Sequence, residues 1–135
     1  KDLGLEVEIV GSDGWDGVLG QVTDTSVLDG VVFLTPFYPS DPNENVQSFV
    51  KAYKEKFNNA VPDQFAADSY DSVYVLKAAF EKAQSKDTEA LIKAMTEINV
   101  DGLTGNISFD VSGDPIKQPK FVTIMNGVYE SKELD

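Results

Sequence analysis

The sequence predicts an α/β fold, and three observations carry that prediction. A short apolar run, Val7-Glu8-Ile9-Val10, stops on Gly11, and an acid, Asp13, stands just past its carboxyl end. Three stretches with apolar residues at helical spacing follow between residues 41 and 98. Two alternating apolar runs then flank Asn126-Gly127, the strongest short signal for a β-hairpin. The expected architecture is a set of strands flanked by helices, with a β-hairpin tail.

The length of 135 residues suits one domain with a real core. Hydrophobic residues make up 41%, which excludes a disordered acidic tail, and no apolar run reaches the roughly 18 residues a spanning helix needs. No signal-peptide pattern opens the chain, because Lys1-Asp2-Leu3-Gly4 leads directly into a strand, so the chain is expected to be cut from something longer. Eleven basic against 23 acidic residues give a formal charge of −12, a field that repels both nucleic acid and an anionic membrane surface. Without cysteine there is no disulfide, thiolate nucleophile or thiolate metal site. Without histidine there is no Ser-His-Asp triad or histidine-based zinc site within the chain.

The first strand is expected over residues 5–12, with Leu5, Val7, Ile9 and Val10 burying at least one face. Val18, Leu19 and Val22 make a short helix at most, and Thr23-Asp24-Thr25 breaks it. Asp29-Gly30 is a turn into a second buried strand, Val31-Val32-Phe33-Leu34, which Pro36 ends because proline cannot donate to a ladder. Residues 37–42 form a stiff connector with two more prolines. Asp41-Pro42-Asn43-Glu44 reads as a helix start, with Asp41 as cap, Pro42 at the first helical position and Glu44 completing a capping box. Val46, Phe49, Val50, Tyr53 and Phe57 form that helix's apolar face. A second helix over 65–84 is apolar around most of its girth, which predicts packing on more than one side, with Tyr70 in the core. Ser85 or Asp87 caps a third helix, with Ala90, Leu91, Ala94, Met95 and Ile98 on one face. Residues 106–110 form a short strand, Ser112–Pro115 a turn, and 121–125 pairs with 128–130.

Asp13 is the principal candidate for chemistry. Ligands of open α/β sheets bind outside the carboxyl ends of the strands, and an acid there meets a cationic group on a ligand. The competing reading is that Asp13 and Asp16 cap a turn, as Asp and Gly commonly do. A glycosidase-like acid pair is disfavoured, since these two acids stand three residues apart on one turn. Asp110 to Asp114 looks like the start of a calcium loop, but its glycine is at the fourth loop position and Phe121 stands where the twelfth needs Glu.

The chain as a whole resembles the carboxyl-terminal part of bacterial extracytoplasmic solute-binding proteins of the branched-chain amino-acid (Leu/Ile/Val-binding) ABC transporter type, which have the type I periplasmic-binding fold. The residues carrying the likeness are Gly11-Ser12-Asp13-Gly14-Trp15-Asp16 after a strand, Gly30-Val31-Val32-Phe33 running to Phe37, Asp41-Pro42 before Phe49-Val50-Lys51-Ala52-Tyr53-Lys54, Pro62 to Asp71, and Gly102 to Asp110 with Gly113-Asp114-Pro115. The resemblance implies parallel strands flanked by helices in a two-lobed protein. Residues 1–36 would supply second-lobe strands, 37–101 a helical segment of the first lobe, and 102–135 the return crossover and β-hairpin of the second lobe.

The resemblance further implies a substrate-binding component of an ABC importer, taking a branched-chain or other amino acid between its lobes, with no catalytic residues, no metal and no cofactor. Asp13 would pair with the ligand's α-ammonium. Gly14 belongs to the same turn. Trp15 would cover the ligand or pack at the hinge, and Phe65 would line the side-chain pocket or pack at a helix start. Phe37 and Tyr38 read as hinge packing. The groups that grip the α-carboxylate come from the amino-terminal half of such proteins, so this chain alone is expected to bind weakly or not at all. The implied partners are an amino acid or similar small solute and an ABC permease. The implied location is extracytoplasmic, in the periplasm or lipid-anchored at the cell surface. Unpaired strand edges predict a homo-oligomer or intertwined dimer of this chain. The alternatives are the ligand-sensing domain of a receptor or regulator with the same fold, and a small enzyme with an acidic site.

Overall fold

A computed structural model describes Gly4 and residues 7–133; Leu5, the expected start of the first strand, lies outside the described residues. The strands are β1 (Val10–Gly11), β2 (Val32–Leu34), β3 (Val100–Gly102), β4 (Gly105–Phe109), β5 (Pro115–Ile116), β6 (Phe121–Met125) and β7 (Val128–Lys132). The helices are α1 (Glu44–Lys56), α2 (Gln64–Ala83) and α3 (Thr88–Met95). Two compact units divide the chain: one runs to Gln64 and resumes at Pro119, and the other is Phe65–Gln118. In the first unit α1 packs on the connector: the Phe49 ring meets Phe37 edge-on at 6.0 Å, and Gln47 donates to the carbonyls of Pro39 and Asp41. In the second unit β4 pairs with β3.

In the first unit the sheet order is β1-β2-β6-β7. β1 and β2 are parallel, while β6 runs antiparallel to both β2 and β7. Phe33, Val122 and Ile124 are fully buried, and Leu28, Val31 and Tyr38 complete the core, with Trp15, Val18, Leu19, Val22 and Tyr129 packed against it. Asn126 and Gly127 both have positive φ, 52° and 74°, as the predicted two-residue hairpin turn requires. β1 departs from expectation. It is only two residues long, Val7 and Ile9 precede it and are exposed, and Val10 is exposed on a strand that, among the described residues, has β2 on one side only. The cap of α1 is also corrected. Asn43, not Asp41, accepts from the amides of Asn45 and Val46, while Asp41 caps the preceding turn through Asn43 N–H and pairs with Lys120 at 3.0 Å.

In the second unit β3, β4 and β5 form an antiparallel sheet. α2 buries one stripe at four-residue spacing: Ala67, Asp71, Val75 and Ala79. Its opposite face carries Phe65, Val73, Leu76 and Phe80, all exposed. Tyr70 is likewise exposed rather than in the core, with its hydroxyl 3.1 Å from that of Tyr74. The apolar girth of α2 therefore exceeds what this unit covers. Asp71 anchors the helix: its carboxylate accepts from the amides of Leu103 and Thr104 and from the Thr104 hydroxyl. Asp87 caps α3 as expected, accepting from Ala90 N–H.

Candidate functional site

β1 leaves the sheet at Gly11, and Ser12 is extended (φ −93°, ψ −172°). One tight helical turn follows over Asp13–Trp15, closed by Trp15 N–H to Ser12 O at 3.1 Å and Asp16 N–H to Asp13 O at 3.0 Å. Gly11 is required here, because a Cβ at that position would collide with the Trp15 indole. That contact half-buries Trp15 and leaves Asp13 and Gly14 exposed. Three of the four expected site residues thus share one turn beyond the carboxyl end of a parallel strand. The fourth, Phe65, is the second residue of α2, in the other compact unit, and is exposed.

The turn is not held by its own two bonds alone. The Gln64 side chain, which is buried, donates from Nε2 to Asp13 O at 2.8 Å. Its backbone N–H donates to the Asp16 carboxylate at 2.5 Å. Its Oε1 lies 3.2 Å from the buried Thr35 hydroxyl, just past β2. Asp16 also accepts from Gly17 N–H. Burial pushes the Asp16 carboxyl above its ordinary value and outweighs the opposing hydrogen bonds from the Gln64 and Gly17 amides, while Asp63 nearby adds to the rise. The Asp16 carboxylate therefore caps neither adjacent tight turn; it bonds the next amide and the first amide of α2. The roles of Gln64 and Thr35 were not legible, because their partners stand 51 and 29 residues away along the chain.

A groove of about 660 Å³ in the same unit is lined by Asp16, Leu19, Lys54, Val61, Asp63 and Tyr129, among others, but by none of Asp13, Gly14 or Trp15. Burial pushes the Tyr129 phenol above its ordinary value. Asp110, considered for calcium, turns its carboxylate onto the amides of Ser112 and Asp114 and caps the 110–114 turn. Among the described residues no group of three or more acids is arranged to hold a metal, and no helix is long and apolar enough to cross a membrane.

The exposed Asp13 thus stands on a fixed turn beyond the carboxyl end of a parallel strand, the region where ligands of open α/β sheets bind. The family model described as periplasmic binding protein matches residues 1–127, and the chain belongs to that family. Its curated relatives include a Leu/Ile/Val-binding protein homolog from Brucella abortus, 27% identical over 124 residues, covering 90% of this chain and 32% of that protein. A leucine-binding protein, LivK, from Thermotoga maritima superposes with a TM-score of 0.79 at 29% identity, over 98% of this chain and 38% of that one. The branched-chain amino-acid binding protein LivJ from Streptococcus pneumoniae, solved with isoleucine, superposes with a TM-score of 0.77 at 28% identity, over 96% and 37%. The chain spans about a third of the length of these proteins. The type I periplasmic-binding fold expected from the sequence is the fold observed.

Proposed function

We propose that the protein to which this chain belongs is the substrate-binding component of an ABC importer. It takes a branched-chain or other amino acid between the lobes of the complete protein and delivers it to a membrane permease outside the cytoplasm, without chemistry of its own. The observation that carries this reading is the Asp13 turn. A carboxylate held on a clamped turn at a strand's carboxyl end suits the α-ammonium of an amino acid, where charge-assisted hydrogen bonds are strongest. Similarity to a leucine-binding protein and to one solved with isoleucine supports the solute class. Gly14 and Trp15 share the turn and are assigned to the site with Asp13; Phe65 is assigned to the side-chain pocket. The lobe assignment is proposed with residues 1–36 as second-lobe strands, 37–101 as a helical segment of the first lobe and 102–135 as the return to the second lobe.

Calorimetry on the full-length gene product tests this, with leucine, isoleucine, valine, other amino acids and aromatic acids, beside an Asp13→Ala variant. Loss of a charge-assisted pair predicts about 10- to 150-fold weaker amino-acid binding in the variant. Silence across the amino acids, or an unchanged variant, overturns the assignment. Binding of an aromatic acid alone would redirect the solute class. The chain studied alone is proposed to self-associate. β1 and β7 are sheet edges, β3 and β5 edge the other sheet, and α2 leaves an apolar face uncovered. Sedimentation at micromolar concentration giving a clean monomer would refute that.

A further inference from the structure

We propose that Gln64 is a positioning residue: it clamps both ends of the Asp13–Asp16 turn and so fixes where the Asp13 carboxylate is presented. This inference rests on the assignment of Asp13 as the solute's ammonium partner. Its geometry stands independently of that assignment. One residue reaches the turn at two points, through its side-chain amide to the carbonyl of Asp13 and through its backbone N–H to the carboxylate of Asp16. These points are the first residue of the turn and the residue that closes it.

The physical reason lies in burial. Gln64 is 1% exposed, and an amide is expensive to bury without partners. Its donor has Asp13 O, its acceptor faces the Thr35 hydroxyl, and Thr35 is itself fully buried beside β2. Any movement of the turn that withdraws Asp13 O leaves a buried N–H unpaired. The Asp16 carboxylate in turn satisfies the first N–H of α2, which has no partner within its own helix, and places a negative charge at that helix's amino terminus. Opening the turn therefore breaks two linked bonds at once. The Asp13 side chain is left in solvent by a backbone that is not free to fray.

The single tryptophan makes this measurable, because Trp15 lies within the turn. Gln64→Met keeps the length and the backbone N–H but removes the amide; Thr35→Val leaves the amide and its bond to Asp13 O in place and removes the hydroxyl that faces Oε1 and bonds the Phe37 backbone. Acrylamide quenching of Trp15 in the 135-residue chain is expected to rise about threefold in Gln64→Met and to stay near the unmodified value in Thr35→Val, with far-UV circular dichroism unchanged. In the full-length protein, L-leucine or L-isoleucine is expected to bind about tenfold more weakly in Gln64→Met, the equivalent of one lost hydrogen bond.

If Gln64→Met does not fold, hydrogen exchange in the unmodified chain decides the matter. A clamped turn protects the amides of Trp15 and Asp16 by about a hundredfold or more, whereas a turn held by its own bonds stays within about tenfold of an unfolded peptide. Folded Gln64→Met with unchanged quenching, or weak protection at those two amides, overturns the clamp. If the unmodified full-length protein binds no amino acid while quenching rises in Gln64→Met, the solute reading falls and the clamp stands. If solute binding needs Asp13 but is indifferent to Gln64→Met, the clamp's functional role falls and the solute reading stands.

Discussion

Removing the Asp71 carboxylate should cost the second unit much of its stability. Asp71 is 2% exposed, and its two oxygens accept from Leu103 N–H at 2.9 Å, Thr104 N–H at 2.9 Å and the Thr104 hydroxyl at 2.7 Å. It is the link between the buried stripe of α2 and the turn joining β3 to β4. Asp71→Ala orphans two backbone donors, and each buried unpaired donor costs about 1–3 kcal/mol. With partial relaxation and some loss from the hydroxyl, the expected total is about 4 kcal/mol, against a whole-domain stability of about 5–15 kcal/mol. Asp71→Asn keeps one acceptor but turns an NH₂ toward a donor, and about half that cost is expected. Thr104→Val removes one of the three bonds, together with the hydroxyl's bond from Lys117 Nζ at 2.6 Å, and should cost about 1–2 kcal/mol. Gly102→Ala should destabilise by about 2 kcal/mol, because its Cβ would fall 2.5 Å from Asp71 Oδ2 and unseat the carboxylate. Urea unfolding followed by far-UV circular dichroism gives the four values. A cost below about 1 kcal/mol for Asp71→Ala, or a cost for Thr104→Val as large, would refute the reasoning.

Three further outcomes are expected. Because burial raises the Asp16 carboxyl, its folded pKa exceeds its unfolded one, and the folded chain binds that proton more tightly. Its contribution to stability is therefore full below the unfolded value and is lost as pH rises through the folded value. Urea midpoints between about pH 4 and pH 7 should fall more steeply in the unmodified chain than in Asp16→Asn, and equal slopes would contradict this. Phe33→Ala, at a fully buried ring that meets Tyr129 edge-on at 5.4 Å, should cost about 3–5 kcal/mol by the same denaturation, and a loss under about 1 kcal/mol would remove Phe33 from the core. Gly127→Ala should cost about 1–2 kcal/mol, since φ is +74° and a Cβ would lie 2.9 Å from the Thr25 hydroxyl; an unchanged melting temperature would show that the turn relaxes freely.

Several elements were written locally in the chain. The type I′ turn at Asn126-Gly127, the Asp87 cap, the arrest of β2 before Pro36 and the three helices all follow from interactions within a few residues. The candidate acid was legible for the same reason, since a strand that ends on glycine with an acid beyond it can be read without knowing its neighbours. Errors arose where a local rule had two solutions of similar cost. Asp41 and Asn43 both can cap; the chain uses Asp41 for the turn and Asn43 for the helix. Val7, Ile9 and Val10 have the composition of a buried strand, but Val7 and Ile9 precede β1, and burial of a strand depends on its neighbours, of which β1 has one among the described residues.

The sequence by itself determined the α/β class, the hairpin, the acid at the strand's end and, through the charge of −12 and the lack of His and Cys, which chemistries are excluded. Only the tertiary structure decided what holds that acid. Gln64 and Asp71 look in sequence like ordinary polar positions at a helix start and on a helix face. Their meaning comes from partners 51 and 32 residues away, respectively. A buried polar group is stable only where the fold brings its complement within about 3 Å, and no periodicity along the chain encodes that distance.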